Sequence, residues 1–536
     1  MPGTPSEFSH LSSKLDTLSN RLPADMTAAQ KVGQLMMIGF DGTAVDAELR
    51  GMIKDFHIGG VILFARNVQS PEQVARLTNE LQTIALESGH PGLFIAIDQE
   101  GGRVARLTEG TGFSEFPSAM ALGATGDPEN AHRMATAMAA EMGAVGINVN
   151  FAPDLDVNNN PSNPVIGTRS FSSDPVSVAE FGIAFARGLQ EKGVLAFGKH
   201  FPGHGDTAID SHIDLPLVPH DRARLNQIEL APFREAIQSG FAGIMSAHVT
   251  FPAIDPTPGL AATLSRSVLT GLLRHELDYN GLIATDSLEM GALAANGYPP
   301  AVAAALAFAA GADLLLLNRD HSMHRNAFAN LMQIIQDGKV SQEQLDASVQ
   351  RILQTKAKFG ILAPRLIADP AKAGESIGTA EHHELALELA RKAITLLKDE
   401  ASLLPLKPDE PLLVIETAAA KGLGLLLNAK TLEIKNDPNT DAITAAMSIA
   451  KDSHKIVVTT TDAHLYPGQV QLVNELLPQI PNIIIVSVRT PYDINVLSPV
   501  PTFLAAYGGN TPTLRAIADV LMGKFQPSGV LPVTSS

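Results

Sequence analysis

Eight short, uninterrupted apolar runs, spaced by stretches of helical length, constrain this chain more than any other feature. The runs are QLMMIGF (34–40), GGVILF (59–64), LFIAID (93–98), VGINVNFAP (145–153), VLAFGKH (194–200), AGIMSAH (242–248), GLIATD (281–286) and ADLLLL (312–317). They are continuous rather than alternating and rich in branched residues, as expected of strands covered on both faces. Between them lie amphipathic segments such as 71–88, 127–144, 174–193 and 221–240. Several of these begin at Ser-Pro or Asp-Pro and stop at Gly, the signals that start and end helices. Eight strand–helix units within about 360 residues predict an α/β fold, a (β/α)8 barrel of the TIM type. A doubly wound open sheet is the rival, but no G-x-G-x-x-G follows a first strand, and eight units exceed what one such sheet usually needs.

Polar residues cluster where these runs end. Asp98, Asn150, Lys199, His200, His248 and Asp286 all fall at or just beyond a predicted strand C-terminus, the face on which a barrel gathers its chemistry. Residues 337–362 read as a long helix with a Gly stop. The expected division is a barrel with its N-terminal lead over 1–365, a linker over 366–381 and a second, smaller α/β domain over 382–536. Four strands are expected there, at 411–417, 455–462, 482–490 and 503–509.

Composition removes several functions. With 39 Lys+Arg against 56 Asp+Glu the formal charge is −17, a field that repels nucleic acid and anionic membranes. The absence of cysteine excludes disulfides, thiolate metal sites, Fe–S clusters and a Cys nucleophile. No run reaches 18 uncharged apolar residues, and the first residues lack a basic-then-apolar leader, so a soluble, cytoplasmic protein is expected.

The densest chemistry lies in KHFPGHGDTAIDSHIDLP (199–216), which holds three His, three Asp and one Lys. So many polar groups in a core strand would each need a buried partner, so the segment is expected to be a loop leaving the fifth strand. Two site readings compete. One is a metal held by His200, His204, Asp206 and His212, although the spacing matches no compact metal motif. The other is an acid/base pair, in which Asp210 orients the imidazole of His212.

Together with IDQEGGRVARL (97–107), IGTRSF (166–171) and ATDSLEM (284–290), this loop resembles glycoside hydrolase family 3, in particular its β-N-acetylhexosaminidase branch. RKAITLLKDEASLLPLK (391–407) and GVLPVT (529–534) extend the resemblance into the second domain. It implies a retaining exo-β-N-acetylglucosaminidase acting on cell-wall or chitin-derived saccharides, as in peptidoglycan recycling, with no cofactor and no metal. Asp286 would be the nucleophile, and His212, oriented by Asp210, the proton donor. Asp98, Arg106, Arg169, Lys199 and His200 would bind the sugar. Glu100, His204, Asp206, His248 and Glu289 are secondary candidates that would orient these groups or pin the long loop. The loop FAPDLDVNNNPSNP (151–164) is expected to wall the pocket. A β-glucosidase of the same family would carry Trp after the nucleophile, where Ser287 stands here. Two further activities compete with hydrolysis of an N-acetylglucosaminide: phosphorolysis, with phosphate as acceptor, and carbohydrate binding by a non-catalytic barrel. The expected partner is a small saccharide, with no nucleic acid and no membrane, and the sequence leaves monomer and homo-oligomer equally open.

Overall fold

A computed structural model describes residues 23–209, 214–318, 320–362, 368–407, 410–451, 453–497 and 499–534 of the 536. Each of the eight apolar runs contains a strand: β1 (Met36–Ile38), β2 (Gly60–Leu63), β3 (Phe94–Ile97), β4 (Val149–Asn150), β5 (Leu195–Phe201), β6 (Gly243–Ser246), β7 (Leu282–Thr285) and β8 (Leu315–Leu317). All pair in parallel, in the order β7-β6-β5-β4-β3-β2-β1-β8. A parallel bridge between Ala284 and Leu314 joins the two ends of the sheet into a barrel. Every strand residue is buried, which is why these segments read as unbroken apolar runs.

The expected starts act as caps. Ser70 and Asp174 accept backbone N–H bonds from the first turns of helices Pro71–Glu87 and Pro175–Glu191, and Asp127 does so for Pro128–Ala144. Proline at the first position of each costs nothing, since that N–H has no helical acceptor. The stretch 221–240 differs from expectation. It forms two helices, Arg222–Gln227 and Ala231–Gln238, because Pro232 starts a new first turn instead of continuing the old one.

The polar segment 199–216 is not a loop throughout, which corrects one expectation. Lys199 and His200, already part of the fifth apolar run, and Phe201 are strand residues buried inside the barrel, and the loop begins only at Pro202. The burial that argues against a strand is tolerated because both polar side chains meet buried carboxylates, as described below.

The second sheet contains β9 (Thr395–Asp399), β10 (Leu412–Thr417), β11 (Lys430–Ile434), β12 (Lys455–Thr460), β13 (Ile483–Ser487) and β14 (Thr502–Ala505). Its order is β11-β10-β12-β13-β14-β9, parallel except for β9. Strands β9 and β11 add to the four expected from sequence. They are the two edges, β9 half-buried and β11 largely exposed, both interrupted by charge, so they lack the apolar run that betrays a central strand.

The two sheets share apolar packing. Met120, Ala121 and Ala124 of the barrel form one cluster with Tyr492, Ala505, Tyr507 and Val533. Hydrogen bonds reinforce it: Ser118 Oγ to the Tyr507 carbonyl at 2.7 Å, Asn158 Nδ2 to Tyr492 Oη at 3.1 Å, and His464 Nε2 to the Pro161 carbonyl at 2.9 Å. Tyr492 and His464 therefore touch the very loop that leaves β4. No described helix is long and apolar enough to cross a membrane.

Candidate active site

A cavity of about 340 Å³ is lined by Asp98, Arg106, Arg169, Lys199, His200 and Asp286, among others. These residues come from the C-terminal ends of β3, β5 and β7 and from two loops, and only barrel closure brings them together. The loop after β3 is folded by its own Gln99. The Gln99 Oε1 accepts the N–H groups of Arg106 and Leu107 at 2.8 and 3.0 Å, and its Nε2 donates to the Leu107 carbonyl. That turn brings Arg106 Nη2 to 3.6 Å from Asp98 Oδ2.

Asn163 does the same for the other two loops. Its Oδ1 accepts the N–H groups of Val165 and Ile166, both at 2.9 Å, ahead of the 3₁₀ turn Gly167–Arg169. Its Nδ2 donates to the carbonyls of His204 and Gly205 at 2.9 and 2.8 Å. Gly205 is required at this junction, since a Cβ there would lie 1.8 Å from the Val157 carbonyl oxygen.

Glu100 is the anionic hub. Arg169 donates Nε and Nη2 to its two oxygens, each at 2.9 Å, and Lys199 Nζ lies 2.5 Å from Oε1. Lys199 also donates to Asp98 Oδ1 at 3.0 Å. Burial alone would raise the Glu100 carboxyl, but the fields of Arg169 and Lys199 outweigh it and hold it well below its ordinary range. Burial opposes the Lys199 ammonium, yet Asp98 and Glu100 raise its pKa, so it stays charged. A bidentate guanidinium pair of this kind is both strong and directional.

Below the cations lie two carboxylates that the sequence suggests only as part of a pocket wall. Asp156 Oδ2 lies within hydrogen-bond distance of His200 Nδ1, at 2.7 Å. Its Oδ1 accepts the backbone N–H groups of His200 and His204 at 3.2 and 2.6 Å. Burial lifts Asp156 to about 6, partly offset by those backbone bonds. Asp154 is raised further, by burial and then by the neighbouring Asp156. Burial and the Arg169 charge push His200 down to about 4, so its imidazole is neutral. The D-x-D spacing after the fourth run is the signal that could have found this pair, because alternate residues point the same way in extended chain.

Asp286 follows β7 at the cavity floor. Its Oδ1 accepts the Ser287 N–H at 2.6 Å. Burial would raise this carboxyl, but His248, the Ser287 bond and the Lys199 ammonium together hold it below its usual value, so it is ionised. His248 is buried beside it, with Nε2 donating to the Ser287 carbonyl at 2.8 Å and Nδ1 3.0 Å from the Thr263 hydroxyl. Asp210 and His212 lie outside the described residues.

The remaining candidates take separate places. His204 is buried, with Nδ1 3.0 Å from the Thr207 hydroxyl, and burial pushes it down to about 3. Asp206 receives His220 Nε2 at 2.7 Å, which ties the loop to the chain ahead of the next helix. Glu289 accepts the Asn318 N–H at 2.7 Å and thereby links the ends of β7 and β8. Arg103 also lines the cavity and donates to the Val165 carbonyl, a place that its sequence neighbourhood does not single out.

Among the described residues, two sets bring carboxylate and imidazole atoms within 4.8 Å of one another: Asp154, Asp156 and His200, and Asp206, His220 and Glu229. Both are already engaged otherwise. The first is closed by the His200–Asp156 hydrogen bond and lies against Arg169, 3.6 Å from Asp154. The second holds a guanidinium, with Arg224 3.2 Å from Glu229 and 3.7 Å from Asp206. The described members of the metal set weighed from sequence, His200, His204 and Asp206, do not meet in one cluster.

Comparison with known proteins finds two family matches along the chain. Residues 27–355 match the glycosyl hydrolase family 3 N terminal domain, and residues 394–536 match the corresponding C-terminal domain. Beta-hexosaminidase A of Pseudoalteromonas piscicida is 35% identical over 95% of this chain and 97% of its own length. A beta-hexosaminidase of Alkalilimnicola ehrlichii is 42% identical over 53% of this chain and 80% of its own. The structure of a glycoside hydrolase family 3 beta-N-acetylglucosaminidase from Paenibacillus sp. str. FPU-7 superposes with a TM-score of 0.90 at 41% identity, covering 95% of this chain and 99% of that one.

Proposed function

The chain belongs to glycosyl hydrolase family 3, and from that premise we propose that it is a retaining exo-β-N-acetylglucosaminidase. Its substrates are terminal β-linked N-acetylglucosamine residues of cell-wall or chitin-derived saccharides. The observation that carries this reading is the place of Asp286: a carboxylate just after β7, in the same cavity as Asp98, Arg169, Lys199 and His200.

In this mechanism the sugar is held by Asp98, Arg106, Arg169, Lys199 and His200. Asp98 has two oxygens to accept hydroxyl protons, and Lys199, anchored by Glu100, donates from the side. Asp286 attacks the anomeric carbon while the glycosidic C–O bond breaks, and His212 gives its proton to the departing oxygen. Water then attacks the glycosyl ester as His212 takes a proton from it, and Asp286 leaves as carboxylate. Two displacements at one carbon retain the β configuration. Asp210 holds the His212 ring in the tautomer this exchange needs.

The test is a panel of 4-nitrophenyl β-glycosides, comparing N-acetylglucosaminide, glucoside and xyloside with and without inorganic phosphate. The proposal expects preference for the N-acetylglucosaminide and β-N-acetylglucosamine as the first product by proton NMR. Preference for the glucoside, or an α product, would reject it. Accumulation of N-acetylglucosamine 1-phosphate would assign the same intermediate to a phosphorylase.

A further inference from the structure

We infer that Asp154 and Asp156 hold one proton between them, and that this pair positions His200 as a hydrogen-bond acceptor toward the sugar. The argument begins with charge. Arg106, Arg169 and Lys199 are the cations packed around this region: Arg169 and Lys199 are bonded to Glu100, and Lys199 and Arg106 both face Asp98. With Asp98 and Glu100 ionised, these three cations balance one more carboxylate, and ionising both Asp154 and Asp156 would bury a negative charge without a counter-charge. Asp154 is 1% exposed and Asp156 0% exposed, so that cost would not be relieved by water.

The bonding decides which of the two is charged. Asp156 Oδ1 accepts two backbone N–H donors, from His200 and His204 at 3.2 and 2.6 Å, and its Oδ2 lies 2.7 Å from His200 Nδ1. These favour its ionised form. Asp154 Oδ1 accepts the Asp156 N–H at 2.9 Å, but its buried Oδ2 has no hydrogen-bond partner and stands 3.6 Å from Arg169 and 3.9 Å from His200 Nδ1. An oxygen so placed is the natural seat of the proton, and burial raises the Asp154 carboxyl accordingly.

The consequence reaches the ring. With Asp156 ionised, His200 must carry hydrogen on Nδ1. Its Nε2 is then a lone pair, 3.2 Å from Arg169 Nη2, which donates to it. A sugar hydroxyl arriving from the cavity would donate to this lone pair in place of Arg169, whose Nη2 retains its bond to Glu100. Asp154 and Asp156 are thus positioning residues acting through His200, and this role rests on the reading of the cavity as the sugar site.

The experiment compares Asp154→Asn with Asp156→Asn. Asn at 154 keeps the neutral, hydrogen-bonding shape, while Asn at 156 removes a charged acceptor. Asp156→Asn is expected to lower kcat/KM roughly 10- to 100-fold, the worth of a hydrogen bond to a charged group, with most of the loss in KM. Asp154→Asn is expected to cost about tenfold less than that. In an H200N background the Asp156→Asn effect is expected to vanish, since its action runs through the ring. Independently of activity, ¹⁵N NMR of histidine-labelled enzyme should show an Nδ1–H signal that is missing in H200N, kept in Asp154→Asn and lost in Asp156→Asn. Equal losses from the two substitutions, an undiminished Asp156→Asn effect in H200N, or an Nε2–H tautomer in the wild type would each overturn the inference. The NMR result stands even if the glycosidase assays fail, so the two readings fall separately.

Discussion

Glu100→Gln tests the central electrostatic claim about this site. The substitution preserves shape but deletes the charge that Arg169 meets with two 2.9 Å bonds and Lys199 at 2.5 Å. Lys199 keeps the Asp98 carboxylate at 3.0 Å, whereas Arg169 is left with Asp154, 3.6 Å away and neutral. A charge pair near 4 Å is worth about 4 kcal/mol at an effective dielectric of about 20, before the desolvation that the variant is spared. Breaking a buried pair from one side typically costs about 3–5 kcal/mol, and the Asp98 carboxylate that Lys199 keeps places this case at about 3 kcal/mol. Chemical denaturation at neutral pH should show that loss, together with a raised KM as Lys199 and Arg169 shift. Because Glu100 is held below its ordinary value of 4.5, its stabilisation is complete above that value and fades as pH falls through the lowered one. The gap between wild type and variant should therefore be level from about pH 5 upward and close in strong acid. A loss under about 1 kcal/mol at neutral pH, or a gap that widens on acidification, would refute the reasoning.

Three other outcomes are expected. Asp286→Ala should suppress turnover whatever the leaving group, whereas His212→Ala should impair poor leaving groups by about 10²- to 10⁴-fold and nitrophenolate far less; equal impairment on both would remove His212 as the acid/base. Activity should survive exhaustive EDTA treatment, and loss restored by one equivalent of Zn²⁺ would instead return the site to the metal reading. His464→Gln should loosen the contact between the second domain and the loop after β4, measured as faster hydrogen exchange at residues 158–166. Although burial opposes it, the Asp493 carboxylate raises the His464 pKa above 6.5, so its contribution is full below that value and lost as pH rises through the raised one; a difference between wild type and variant that grows toward alkaline pH would contradict this.

What the chain determined by itself is the barrel and the polar residues at the strand ends that line its cavity. Strands buried on both faces must be apolar without interruption, so β1 to β8 announce themselves in one dimension, and Asp98, Lys199, His200 and Asp286 stand out as polar residues where such runs end. Edge strands escape this logic: β9 and β11 are half solvated, and their mixed composition is that of many loops. Likewise, a proline in the middle of 221–240 decided between one helix and two. Tertiary structure alone decided the partners. Lys199 and His200 are tolerable inside β5 only because Glu100 comes from the loop after β3 and Asp156 from the loop after β4, neighbours separated by tens of residues along the chain. The same closure turned Asp154 and Asp156 from members of a polar loop into a buried carboxyl pair, since the cost of a charge depends on the countercharges and water around it, and neither is written in the residue's local sequence.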